Sequence, residues 1–77
     1  MLELTIISPR RVIYKGGAKS VIVPGEQGVF ELLEFHKNIL SRLARGCIVV
    51  DNKNLYNIKR GVIKLERNEV TVIVEEA

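Results

Sequence analysis

Tryptophan is absent from this chain, and two tyrosines and two phenylalanines are its only aromatic residues. A core built from it must therefore be aliphatic, and platforms for base stacking are scarce. The single cysteine, Cys47, excludes an internal disulfide. It sits in the apolar run 47–50, where a thiol behaves as a small hydrophobe. The single histidine, His36, lies on a separate apolar segment, so the two make no evident nucleophile–base pair. No His, Cys and carboxylate cluster is spaced for a metal. Gly25-x-x-Gly28 lacks the Lys-Ser/Thr and the helix of a phosphate-cradling loop. No active site, metal or cofactor is expected. Apolar runs fall far short of the roughly 18 residues of a membrane helix. Glu3 stands where a secretory leader is basic, and Pro9, Arg10 and Arg11 break the first apolar run early. The expectation is a soluble, cytoplasmic protein that meets a membrane only through another protein.

What is present is apolar and mildly basic. Seventy-seven residues make one small domain, of which 47% are hydrophobic. A chain this short buries only about 60% of the surface it exposes when unfolded, which leaves apolar surface for a partner. Twelve Lys and Arg against nine Asp and Glu give a net charge of +3. That excess permits an anionic partner without demanding one, and a solvated basic surface is the plainer reading.

Residues 21–36, VIVPGEQGVFELLEFH, organise the chain. Pro24 stops an apolar strand because it fixes φ and has no N–H for a ladder. Gly25 and Gly28 allow a tight reversal around the polar tip Glu26-Gln27. Val29, Phe30, Leu32 and Leu33 restart the apolar pattern, which predicts a β-hairpin.

Upstream, Leu2, Leu4 and Ile6 share one face of a first strand over 2–8, and Glu3, Thr5 and Ile7 the other. Residues 12–14 read as a short second strand ended by Lys15-Gly16-Gly17, and 18–23 as a third. Residues 35–45 admit two readings. Ile39, Leu40 and Leu43 have helical spacing, but so short a helix is marginal without packing. Gly46 ends the segment either way. A strand at 47–50, a polar loop Asp51-Asn52-Lys53-Asn54 and a returning strand at 55–59 follow, with Tyr56 and Ile58 on one face. Gly61 marks a bend before a strand at 62–66, and Arg67-Asn68 a two-residue turn. In the last strand, 70–75, Val70, Val72 and Val74 face one way and Thr71, Ile73 and Glu75 the other. The whole reads as an all-β fold of short strands over 1–77, an antiparallel sandwich or barrel without repeat or linker. A small basic β-barrel binding single-stranded nucleic acid is one function it allows. Lys53, Lys59, Arg60, Lys64 and Arg67 would form its stripe, with few aromatics for stacking.

Taken in order, LELTIISPRRVIYKGGAKSVIVPGEQGVF, a lone histidine, ILSRLARG and a closing VTVIVEEA resemble one known family. It is the ε subunit of bacterial F-type ATP synthases, in its N-terminal β-sandwich domain, matched over essentially the whole chain. The resemblance implies a flattened antiparallel β-sandwich, with residues 35–45 extended and crossing between two sheets. It implies a non-catalytic rotor subunit that couples γ to the membrane c-ring, with proton or sodium as the driving ion. The subunit would be peripheral, at the cytoplasmic face of the bacterial membrane, with no cofactor, no nucleic acid and no homo-oligomer. By position, Gly25, Glu26, Gln27, Gly28 and Val29 fall at the c-ring end. Ser8, Ile39, Leu40 and Ser41 fall on positions facing γ, and His36 lies close to both.

The chain departs from the family in places. Around the histidine the family reads Gly-x-x-Pro-Gly-His-Ala-Pro-Leu-Leu, where this chain has Glu31, Glu34, Phe35, Lys37 and Asn38 at the glycine, proline and alanine positions. Phe35 replaces the glycine before the histidine and is expected to be exposed as a contact. Arg60-Gly61 stands for a usual Gly-Gly. Family members continue into a regulatory helical hairpin, whereas this sequence ends at Ala77. A chain without that switch is expected to bind no nucleotide.

Overall fold

The computed structural model describes residues 1–77, and its eight regular elements are all strands. Strict alternation builds β1 (Leu2–Ile7), which buries Leu2, Leu4 and Ile6 on one face. β1 pairs antiparallel with β2 (Val12–Ala18) and parallel with β8 (Glu69–Glu76). The other ladders are all antiparallel. β3 (Ser20–Gly25) and β4 (Gly28–Leu33) form the hairpin around Glu26-Gln27. β5 (Ile39–Leu43) is extended, so tertiary pairing with β7 (Asn54–Glu66) overrides the helical spacing of its apolar residues. β6 (Gly46–Val50) pairs with both β3 and β7.

Two layers result because β7 serves both. Its first half pairs with β6 and its second half with β5, while β8 runs along its other side. One layer is β2-β1-β8-β7-β5, and the other is β4-β3-β6 with the start of β7. Sixteen aliphatic side chains from all eight strands fill the space between them. β2 and β4 remain open edges, so the sheet is not a closed barrel.

The strand boundaries correct three expectations. Lys15-Gly16-Gly17 is no turn but the body of β2, laddered to Thr5, Leu4 and Glu3, and the reversal comes at Lys19. Glycine permits a turn without enforcing one, and β1 offers these backbones a continuous ladder. Pro24 stays within β3, buried, where its carbonyl accepts from Ala44 N–H at 2.8 Å and no N–H is required of it. Residues 55–59 and 62–66 belong to one strand of 13 residues.

That long strand carries a bulge rather than a bend. Ile58 opposes Glu76 and Arg60 opposes Glu75, which leaves Lys59 as the extra residue. The bulge reverses the phase of side-chain alternation. Tyr56 and Ile58 point inward before it, and Ile63 and Leu65 after it. Gly61 sits against β8 so closely that an added Cβ would meet the Ile73 carbonyl oxygen at 2.6 Å. The turns carry the expected chemistry: Asp51, Asn52, Arg67 and Asn68 all adopt positive φ, between 51° and 63°. Asp51 also reaches across, accepting from Lys19 and Ser20 N–H at 2.6 and 3.1 Å to lock the β2–β3 corner.

Candidate functional site

Alternation leaves an apolar row on the outside of the five-stranded layer. Val12 opposes Ile7, Ile7 opposes Ile73, and Ile73 opposes Val62. Cross-strand partners share a face, here the one turned away from the core of Ile6, Val72 and Ile63. Val12 is 57% exposed, Ile73 48% and Val62 40%. Two local causes produce the row: Ile73 interrupts the polar side of β8 between Thr71 and Glu75, and the Lys59 bulge turns Val62 outward. A shallow depression of about 560 Å³ runs beside it, with Pro9, Arg42, Arg60 and Glu75 on its rim.

Leu40 stands on this face at the β5 edge of the layer, whereas Ser8 follows the end of β1, an interior strand, in phase with the inward Leu4 and Ile6. Leu40 projects from β5 and is 77% exposed. From β1 to β5 the layer passes over β8 and β7, about 14 Å at the usual strand spacing of about 4.8 Å. Ile39 and Ser41 alternate inward and are half-buried, Ile39 packing on the core. The five positions expected to face γ are thus divided between two faces.

A clasp holds Ser8. Its hydroxyl donates to Glu76 Oε2 at 3.1 Å and accepts from Arg10 and Arg11 N–H at 3.3 Å each. The Arg11 guanidinium donates to both Glu76 oxygens, at 2.6 and 3.4 Å. The Arg11 bond, helped by Ser8, holds the Glu76 carboxyl below the usual carboxylate range, and Glu76 raises Arg11 in return. A depressed carboxyl stabilises the fold above its unfolded value, about 4.3 for glutamate, and loses that contribution as pH falls through its folded value. The melting temperature of the parent chain should therefore exceed that of Glu76→Gln at pH 6–7. The gap should close progressively below about pH 4.3 in paired thermal melts. A pH-independent gap would mean that the charge plays no part.

At the hairpin end, Gly25, Glu26, Gln27, Gly28 and Val29 share a cleft of about 520 Å³ with Leu40, Ser41 and Arg42. Glu26 N–H donates to Arg42 O at 3.2 Å and joins the two sides. The tip is polar, with Val29 beside it at 73% exposure. His36 is not part of this cleft. It follows the far end of β4, roughly 17 Å along the strand from the tip. It is half-buried, donates its N–H to Leu33 O at 3.1 Å and places Nδ1 2.7 Å from Lys37 O. Phe35 beside it is 84% exposed at φ +67°, a conformation in which glycine carries no penalty.

Three of the five stripe residues are ion-paired, Lys53 and Arg67 are not, and both tyrosines are withdrawn from the surface. Arg60 and Lys59 pair with Glu75 at 3.1 and 4.0 Å, and Lys64 with Glu66 at 3.9 Å. Tyr14 and Tyr56 pack edge to face at 6.3 Å, half-buried on the core. Cys47 is half-buried with Sγ 3.7 Å from Ile48 O, and no group of three or more His, Cys, Asp or Glu gathers for a metal. The surface residues that sequence reasoning missed are Val12, Ile7, Val62 and Ile73. Ile73 on an otherwise polar strand face was the available signal.

The architecture is that of a small two-layer β-sandwich whose distinctive features are an apolar face and a polar hairpin end. The family model for "ATP synthase, Delta/Epsilon chain, beta-sandwich domain" matches residues 1–77, and the chain belongs to that family. The chain is 38% identical over 80 residues to the ATP synthase epsilon chain of Sulfurimonas denitrificans, across 99% of this chain and 62% of that one. The corresponding protein of a Nitratiruptor species is 36% identical over the same shares. The chain thus spans less than two thirds of these curated relatives. Among solved structures, the Tetrahymena thermophila mitochondrial ATP synthase central stalk and c-ring contains a chain that superposes with TM-score 0.84 at 13% identity, over 97% of this chain and 63% of its own. A chain of the Euglena gracilis mitochondrial ATP synthase, in an assembly of OSCP, F1 and c-ring, gives 0.86 at 20%, over 97% and 51%. At these identities the likeness is one of fold.

Proposed function

We propose that this chain is the β-sandwich part of a non-catalytic rotor subunit, joining γ to the c-ring so that ion-driven rotation reaches the catalytic sites. The observation that supports this best is the outer apolar row Val12–Ile7–Ile73–Val62, with Leu40 at the β5 edge of the same face. A flat apolar strip with charged rims is the composition of a protein interface, and γ is the partner placed there. The polar hairpin tip with Val29 is the end offered to the c-ring loops. A two-layer sandwich with a close-packed core is also stiff, which suits a part that transmits torque. No helix of the chain is long and apolar enough to cross a membrane. In this reading the subunit meets the membrane through the c-ring, at the cytoplasmic face.

Titration of the chain against γ from the same source is the test. Saturable one-to-one binding with modest salt dependence is expected, since apolar contact dominates. No binding at micromolar concentrations would overturn the reading. Oligonucleotide affinity that falls steeply with salt would point instead to phosphate contacts along Lys53, Lys59, Arg60, Lys64 and Arg67.

A further inference from the structure

The five residues 34–38 that carry His36 have little backbone bonding of their own, the one hydrogen bond within the turn being His36 N–H to Leu33 O. Two side-chain amides tie this loop to the turn between β7 and β8. Phe35 N–H donates to Asn68 Oδ1 at 2.9 Å, and Arg67 N–H donates to Asn38 Oδ1 at 3.1 Å. The ties are reciprocal, each side contributing one carbonyl and one backbone donor. Asn68 does more: at φ +63° it forms the turn, and its backbone carbonyl accepts from Glu3 N–H at 2.8 Å. One residue thus joins the start of β1, the β7–β8 turn and the His36 loop. The terminal ammonium of Met1 pairs with Glu34 on the same loop.

We propose that Asn38 and Asn68 are positioning residues that hold the His36 loop in one preset conformation. Phe35, in a left-handed conformation that an aromatic residue adopts at a cost, needs such an external tie. The Asn68 carboxamide bonds the N–H of that residue itself. A loop braced in this way presents His36 and the exposed Phe35 ring without an ordering cost at binding. The consequence for γ rests on the reading above, whereas the brace itself does not.

Asn68→Gly keeps a residue at ease with positive φ and removes only the carboxamide. Asn38→Ala removes the other tie, and Asn38→Asp restores an acceptor. Amide exchange by NMR on the whole chain should show Phe35 exchanging at least about 10-fold faster in Asn68→Gly, in line with loss of one hydrogen bond. Arg67 should do the same in Asn38→Ala and return towards the parent rate in Asn38→Asp, with mid-strand amides of β1 and β8 unchanged in every variant. Unchanged Phe35 and Arg67 rates, or acceleration spread evenly over the sheets, would overturn the brace. Titration against γ separates the two ideas. Weaker binding by Asn68→Gly supports both, while lost protection with unaltered affinity removes His36 from the interface and leaves the brace in place.

Discussion

Ile73→Asp is expected to weaken γ binding by about 100-fold or more while leaving the domain folded. Ile73 lies in the middle of the outer row, between Ile7 and Val62, where a contact is desolvated most completely. The substitution removes an apolar side chain worth about 1.5–3 kcal/mol on burial and forces a carboxylate into the same place. A combined loss near 3 kcal/mol is about two decades of affinity. In the free domain Ile73 is 48% exposed, so its replacement should cost the fold about 1 kcal/mol or less. Leu40→Asp, at the edge of the same face, should weaken binding by a smaller factor, because rim positions keep their water. Calorimetric titration of both variants, with denaturant melts alongside, checks the ordering. If Leu40→Asp abolished binding and Ile73→Asp did not, the partner would sit over the hairpin cleft instead of the sheet.

Deletion of Lys59 is expected to leave no cooperative unfolding transition, whereas Lys59→Ala should shift stability by no more than about 0.5 kcal/mol. The side chain of Lys59 is exposed and makes only a 4.0 Å pairing with Glu75. Its backbone, however, is the residue that lets Ile58 and Ile63 both face inward on one strand. Without it, one half of β7 must turn its apolar side chains to water. Two such residues at about 1.5–3 kcal/mol each rival the whole stability of a domain this size, roughly 4–12 kcal/mol at 0.05–0.15 per residue. Circular dichroism and a urea melt on the two variants decide the matter. A deletion variant that melted like the parent would show that the pairing with β8 can re-form in register without the bulge.

Much of the fold was legible because period-two alternation is a local signal. Leu2, Leu4 and Ile6 in β1 and Val70, Val72 and Val74 in β8 are buried on the faces that their spacing dictates. Arg67-Asn68 and Asp51-Asn52 turn where Asn and Asp make positive φ tolerable. The errors fell where local chemistry permits two outcomes. Lys15-Gly16-Gly17 offers flexibility that β1 used for a ladder, and Pro24 needed only to avoid donating an N–H. For the site, an exposed Phe35 followed the sequence reading, but the company each residue keeps did not.

The sequence by itself determined the secondary-structure class, the inner faces of the strands, the hairpin with its polar tip and the family. Each of these rests on residue type and spacing along the chain. The tertiary structure alone decided which strands neighbour one another, and so that Leu40 edges the apolar face while Ile39 and Ser41 turn inward. It also decided that His36 lies away from the hairpin tip, tied instead to the β7–β8 turn. Those relations depend on long-range register, and in β7 on one extra residue. Pairing energy against other strands sets that register, and no local pattern encodes it.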